Sequence, residues 1–569
     1  MKTTMKRRPL AAAAAAWAAA LLMLPLAGCG GNDEPPDAED QALQFDASKY
    51  TTVNVTVDGT AVKLRQYRIV YVAKPIKMAA TQLTLGGTTT ALSDPYAYQT
   101  MIVSVPESAV SDQKAAIYFA VNNGGWFTSA VATTVTEGRA FVSTSNTDNI
   151  GAALKAGYVV VNVGTRSRGA RAEDGRWAGK APAPVVDAKA AIRYLRLNDA
   201  AMPGSAERIV VNGTSGGGGL TAAVAASGNS ADYLPFLAEV GAAGVRSTDG
   251  VLSSRIKDDV FAAVAYCPIN NLGNADAGYE WEYAAVRSDA NTGALGGVAY
   301  SAGPQPAAAT AIAALFPAYV SGLGLKLDNG TALTTANLRE ATSALLKQEI
   351  ERQITAGTAV PQLGENFVTS RATLANDWLT LSGSGTSAVV SALDYAKFVK
   401  YAATNQALKT VVAFDAIGVT GNKDTAGNWR SSGETNLFGS SSFAYQNFSE
   451  WSWANNAVAG DGSGPDDTGQ AWSAYLAGSG ASLATQLKLI NPLAYLNTAA
   501  DSAPYWYVRH GMVDRDTAYS MQTLLYYAIK NDASVKDLSF KYPYLVGHSG
   551  NYDVQEAFAW IKAKLAANP

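Results

Sequence analysis

The chain has 569 residues, a net charge of −3 and a 48 % share of hydrophobic residues. That is enough apolar material for one large core carrying an inserted domain. The near-neutral balance, with no basic cluster beyond the N-terminus, argues against nucleic acid as a partner. Two cysteines and two histidines in the whole chain make a zinc site improbable. No metal or other cofactor is expected.

Lys2, Lys6, Arg7 and Arg8 precede an apolar run from Leu10 to Leu26, which ends in Leu26-Ala27-Gly28-Cys29. A basic start, an apolar middle and small residues at the cut describe an export signal over residues 1–29. The last four residues resemble the bacterial lipobox, which implies acylation of Cys29 and an exported lipoprotein, periplasmic or surface facing. Gly30 stands where an Asp would hold such a protein in the inner membrane, so the resemblance implies outer-membrane anchoring. Membrane contact is expected through that anchor only. With Cys29 lipidated, Cys267 has no partner for an intrachain disulfide. Residues 30–44 read as an acidic tether, since Gly31–Gln41 contains almost nothing to bury.

Short apolar runs then predict buried strands at Ala116–Val121, Tyr158–Val163, Arg208–Asn212 and Val260–Tyr266. Val185–Leu197 carries Val186, Ala190, Tyr194 and Leu197 at helical spacing. Strand, helix and strand with short connections predict an α/β fold, a mostly parallel sheet with helices on both faces. The first part of this core spans 45–270. From 271 to 494 the chain shows helical stretches such as Asn337–Thr355 but no convincing core strand, and is read as a large inserted lid domain. The second part of the core, 495–569, opens on strand Tyr505–Arg509 and closes on helix Val554–Leu565.

Gly213-Thr-Ser215-Gly-Gly217 lies between strand Arg208–Asn212 and helix Leu220–Ala226. A serine on a crowded strand-to-helix turn needs glycines on both sides, and the turn exposes its hydroxyl. No Lys follows these glycines, which argues against a phosphate-binding loop. A nucleophilic serine needs a base, and only His510 and His548 exist. His548 is favoured, because it sits in a loop 21 residues before the C-terminus, and in this fold the histidine comes last. The acid belongs between them. Asp514, in His510-Gly-Met-Val-Asp514-Arg-Asp516, is preferred and Asp516 competes. Two backbone N–H groups must receive the oxyanion. One is expected from Gly216 and the other from Gly124 or Gly125, in the loop after the first strand.

These residues resemble the bacterial tannases and the related feruloyl esterase-like α/β-hydrolases. The resemblance is carried by Gly157-Tyr-Val-Val-Val, Gly213-Thr-Ser-Gly-Gly, Ala265-Tyr-Cys-Pro-Ile269, Tyr279-Glu-Trp281 and Leu437-Phe-Gly439. It is most specific in His510-Gly-x-x-Asp-Arg-Asp-Thr517 and His548-Ser-Gly-x-Tyr-Asp553, and it covers most of residues 45–569. It implies an α/β-hydrolase fold with a large lid, a triad of Ser215, Asp514 and His548, and hydrolysis of galloyl esters. The family's ligands for the galloyl hydroxyls fall on Lys409, Glu434 and Asp516, and the implied partner is a small phenolic ester. A cation and two carboxylates around a ring with three hydroxyls discriminate against analogues lacking one. Asp276, Tyr279, Glu280 and Trp281 are further pocket candidates. The chain departs from the family at Gly216, where the family has Ala. Insertions fall before Asn270, around Asp461, and between Lys409 and Glu434, including Gly421–Trp429. The alternatives are a feruloyl-type or general carboxylesterase, a serine peptidase, and a non-catalytic surface binding protein.

Overall fold

The computed structural model describes residues 38–84, 89–287, 305–416, 434–455 and 468–568, with two short strands between 294 and 299. The expected signal, Cys29, most of the tether, and the insertions at Gly421–Trp429 and Asp461 lie outside the described residues. No helix among those described is long and apolar enough to cross a membrane.

Ten strands form one sheet: β1 (Thr51–Val57), β2 (Thr60–Val70), β3 (Thr100–Pro106), β4 (Ile117–Ala120), β5 (Ala140–Phe141), β6 (Val159–Val163), β7 (Ile209–Thr214), β8 (Ala262–Tyr266), β9 (Tyr505–Arg509) and β10 (Asp537–Lys541). Their spatial order is β10-β9-β8-β7-β4-β6-β3-β2-β1-β5. From β10 to β6 every pair is parallel, whereas β6-β3-β2-β1 is antiparallel. All five runs read as buried strands lie in the parallel part. Side chains alternate between two cores there. Ile117, Val159, Ile209, Ala263 and Trp506 join one, while Tyr118, Val160, Val210, Val264 and Tyr507 join the other. A strand covered on both faces must be apolar at every position, which is why these runs stand out in the sequence.

Helices α1 (Ala183–Leu197) and α2 (Gly216–Ala226) cover the first face. Among the described residues, the chain between β8 and β9 holds α3 (Leu272–Tyr283), α4 (Thr335–Thr355) and three two-stranded hairpins, none of which enters the large sheet. Helix α5 (Tyr519–Asn531) follows β9 and binds the insert to the core, with Thr523 Oγ1 2.8 Å from Thr342 Oγ1 and the Ser520 N–H donating to Glu282. The insert's apolar residues belong to the same cluster as α1 and α2. Helix α6 (Val554–Ala566) covers the opposite face.

The tether reading needs correction at its C-terminal end. Residues Ala38–Ala42 form a short helix, and Leu43 is in the core. The Asp40 carboxylate is buried, accepts the Gly244 N–H at 2.8 Å and pairs with Arg255. The composition of the segment did not show that one of its acids has an arginine waiting elsewhere in the fold.

Candidate active site

Thr214, Tyr266 and Arg509, the last residues of β7, β8 and β9, lie side by side in register. Ser215, Cys267 and His510 therefore leave the sheet at one place. Ligands in open α/β folds bind at this carboxyl edge. Ser215 has φ 84° and ψ −111°, a conformation costing a non-glycine residue about 1–3 kcal/mol. Three backbone bonds hold it. The Ser215 N–H donates to the Tyr266 carbonyl, and its own carbonyl accepts from Gly219 and Ile269. The hydroxyl stands at the N-terminus of α2, where the helix dipole favours negative charge.

Ser215 Oγ is 2.7 Å from His548 Nε2, and His548 Nδ1 is 2.8 Å from Asp514 Oδ2. Asp514 is fully buried and also accepts the Asp516 N–H at 2.9 Å. Burial opposes its charge, but the two imidazoles and these hydrogen bonds outweigh burial and hold the carboxyl well below its usual range. Burial likewise opposes the His548 imidazolium, yet the Asp514 carboxylate reverses the balance and raises its pKa. His510 bonds to neither Ser215 nor substrate space. It is fully buried behind the acid, with Nε2 3.2 Å from the Asp514 carbonyl oxygen, and burial lowers its pKa. Asp516 lies beside the same histidine, with Oδ2 3.5 Å from His548 Nδ1.

The loop after β4 backs onto the nucleophile turn. The Gly124 N–H already donates to the Asn122 carbonyl at 3.0 Å. Among the described residues the Gly125 and Gly216 N–H groups have no such acceptor. Gly125 takes φ 57° and ψ 27°, a left-handed conformation that glycine adopts freely. Its nitrogen lies 3.0 Å from where a Cβ on Gly216 would stand.

Of the three residues expected at a ring, Glu434 is buried and Lys409 half-buried. Burial raises the Glu434 pKa, while Arg168 and Lys409 pull it back. Lys409 Nζ is 4.3 Å above the Phe414 ring. Asp516 stands on the triad side and pairs with Arg515. Three of the further pocket candidates build the segment that carries Lys409. Asp276 accepts the N–H groups of Ala413, Phe414 and Asp415 at 2.7–2.9 Å. The Tyr279 hydroxyl accepts the Lys409 N–H at 3.1 Å. Glu280 makes two 2.6 Å bonds to Arg287, which in turn donates to the Lys409 carbonyl. Trp281 instead packs on Phe316 and under Arg339.

Two neighbours of the site are not assigned to it from the sequence. Arg168 donates to the Gly125 carbonyl and pairs with Glu434. Its signal is an Arg-Ser-Arg run just past the carboxyl end of a buried strand. Cys267 is buried, with Sγ 3.9 Å from His548 Nε2 and 3.3 Å from the Ser549 carbonyl oxygen. Cys267, Asp514 and His548 come within 4.8 Å of one another. Both nitrogens of that histidine are already engaged by Ser215 and Asp514, however, so the trio is poorly disposed to hold a metal ion.

Residues 108–272 match the family model described as BD-FAE. No curated protein sequence matches the chain. Among solved structures, tannase from Fusobacterium nucleatum is 27 % identical, with a TM-score of 0.68 over 92 % of this chain and 99 % of that one. Tannase from Lactobacillus plantarum is 28 % identical, with a TM-score of 0.68 over 92 % and 100 %. A tannin acyl hydrolase in complex with ethyl gallate is also 28 % identical, with a TM-score of 0.69 over 92 % and 98 %. The chain thus has the α/β-hydrolase fold, and bacterial tannases are among its structural neighbours.

Proposed function

We propose that the protein is a serine esterase that hydrolyses galloyl or related phenolic esters through an acyl-enzyme. The observation that carries this reading is the unbroken chain from Ser215 Oγ through His548 to buried Asp514. Ser215 Oγ attacks the ester carbonyl and passes its proton to His548 Nε2, and Asp514 stabilises the imidazolium. The tetrahedral oxyanion accepts hydrogen bonds from the N–H groups of Gly216 and Gly125. Gly125 is preferred to Gly124 because the Gly124 N–H is already taken. His548 then protonates the leaving alcohol, and water releases the acid by the same steps in reverse order. Lys409, Glu434 and Asp516 bind the ring hydroxyls. Solved tannin acyl hydrolases in complex with ethyl gallate and 3,4-dihydroxybenzoate support a phenolic ester as the substrate.

The BD-FAE match favours a second reading, a feruloyl-type esterase with the same chemistry and a different pocket. Turnover of methyl gallate, methyl ferulate, methyl benzoate and a peptide anilide separates the two readings from a peptidase. Ser215→Ala and His548→Ala should each cost several orders of magnitude in turnover while the protein stays folded. Lys409→Ala should lower kcat/KM for methyl gallate by roughly ten- to a hundredfold, the equivalent of about 1–3 kcal/mol, and change methyl benzoate much less. Unchanged activity in folded Ser215→Ala would remove the serine mechanism. Equal losses on both esters would leave a general esterase.

We further propose that the native protein is an exported lipoprotein held at the outer membrane through Cys29. One acyl chain anchors only marginally, so stable attachment needs the several chains that lipoprotein processing adds. Cys29→Ser should release the protein from membranes, and recovery of the wild type without lipid would end this proposal.

A further inference from the structure

Arg168 Nη1 lies 3.1 Å from the Gly125 carbonyl oxygen and 3.3 Å from Glu434 Oε1. The guanidinium rests 4.2 Å above the Phe127 ring, and the Arg168 and Glu434 side chains are only 6 % and 10 % exposed. One cation therefore touches the carboxylate assigned to the ring and the glycine assigned to the oxyanion. The attraction in such a buried pair is weakly screened, and removing one partner strands the other.

Each of the two peptides that flank Gly125 is held by one backbone bond of the loop. The loop is closed by Trp126 N–H to Asn123 and Phe127 N–H to Gly124, both at 3.0 Å, and by the Ser167 hydroxyl on the Trp126 carbonyl. The Gly125 carbonyl accepts from Arg168. Glycine is the residue least able to keep its own φ and ψ, so this bond, made to the Gly125–Trp126 peptide, limits rotation at Gly125 beside the Gly124–Gly125 peptide whose N–H faces the nucleophile turn.

We propose that Arg168 is a positioning residue that couples ring recognition at Glu434 to the oxyanion-binding amide of Gly125. The proposal rests on the phenolic-ester reading above. Arg168 Nη1 hydrogen-bonds the Gly125 carbonyl while the Glu434 carboxylate draws the same nitrogen electrostatically. A ring hydroxyl that donates to Glu434 satisfies part of the carboxylate's demand and leaves Arg168 more fully to Gly125. Recognition of the hydroxyl then acts on kcat as well as on KM. A ring without hydroxyls leaves the guanidinium drawn toward Glu434.

The test is kcat and KM for methyl gallate and methyl benzoate in Arg168→Met and Arg168→Lys, with near-ultraviolet circular dichroism to certify the fold. Lysine keeps the charge but is a point donor, poorly suited to span two acceptors. The expected result in Arg168→Met is a kcat at least tenfold lower for methyl gallate and a smaller loss for methyl benzoate; equal losses on the two esters would overturn the coupling. In Arg168→Lys, KM for methyl gallate should return toward the wild-type value while kcat stays low. Should Arg168→Met fail to fold, the Lys variant alone decides. A rise in KM for methyl gallate with kcat unchanged on both esters would overturn the coupling, leaving Arg168 as a counter-ion of Glu434. Full recovery of kcat by lysine would overturn it too. Failure of the phenolic-ester reading looks different. The wild type would then show no preference for methyl gallate over methyl benzoate, whatever the Arg168 variants do to kcat.

Discussion

His510 Nδ1 faces Asp514 Oδ2 at 3.4 Å, the same carboxylate oxygen that His548 holds from the other side at 2.8 Å. Burial lowers the pKa of His510 and favours its neutral form. Its ring stands edge-on to Tyr519 and Tyr542, at 5.6 and 5.9 Å. The ring is thus a fixed wall behind the acid. His510→Ala should let Asp514 drift and free its backbone carbonyl, lowering kcat roughly ten- to a hundredfold with little change in KM. His548→Ala should cost far more. A folded His510→Ala enzyme with wild-type kcat would show that Asp514 needs no such support.

Ester turnover should fall on the acid side with a midpoint above the ordinary histidine value of about 6.5. His548 accepts the Ser215 proton only when neutral, and the Asp514 charge raises its pKa. Activity is therefore lost as pH falls through that raised value. Asp514→Asn removes the charge, so the acid limb of kcat/KM should move down in pH, while kcat falls by about 10⁴. A wild-type limb at or below 6.5 would contradict the geometry.

Gly216 directly follows the nucleophile. A Cβ there would press on the Trp126 amide nitrogen and the Asn123 carbonyl oxygen, both backbone atoms. Gly216→Ala should push the Asn123–Trp126 loop away and move the Gly125 N–H off the oxyanion. Loss of one such donor costs on the order of a hundredfold in kcat. A variant with undiminished kcat would show that the loop yields freely.

Away from the site, Asp258 is buried between two cations, accepting from Lys189 Nζ at 2.6 Å and Arg193 Nε at 2.7 Å. Asp258→Asn leaves both positive charges uncompensated. It should destabilise the fold by about 3–5 kcal/mol, read as a lower urea midpoint. Burial acts against the carboxylate, but Lys189 and Arg193 outweigh it and depress its folded pKa. The wild-type contribution is therefore present above the usual carboxylate range and fades as pH falls through the depressed value. A midpoint shift near zero would mean that water or another anion satisfies the two cations.

The sequence by itself determines the five interior strands of the parallel half of the sheet, because strands covered on both faces must be continuously apolar. Ile117–Ala120, Val159–Val163 and Tyr505–Arg509 are legible for that reason. The half-exposed strands Thr51–Val57 and Thr60–Val70 carry mixed polar patterns and escape notice, as does Asp537–Lys541 at the edge. The nucleophile turn is also local, since the crowding that strains Ser215 demands glycines within two residues of it. Tertiary structure decides everything that depends on which ends of the chain meet. In-register pairing of Thr214, Tyr266 and Arg509 brings Ser215, Cys267 and His510 to one edge. The 2.7 Å contact of His548 with Ser215 depends on how distant loops meet, and the choice of Gly125 over Gly124 as the free amide rests on which N–H is already bonded. Arg168 gains its place only when Gly125 and Glu434, more than three hundred residues apart, close around it. No periodicity or composition encodes that meeting, because a long-range ion pair leaves no local pattern in either partner's neighbourhood.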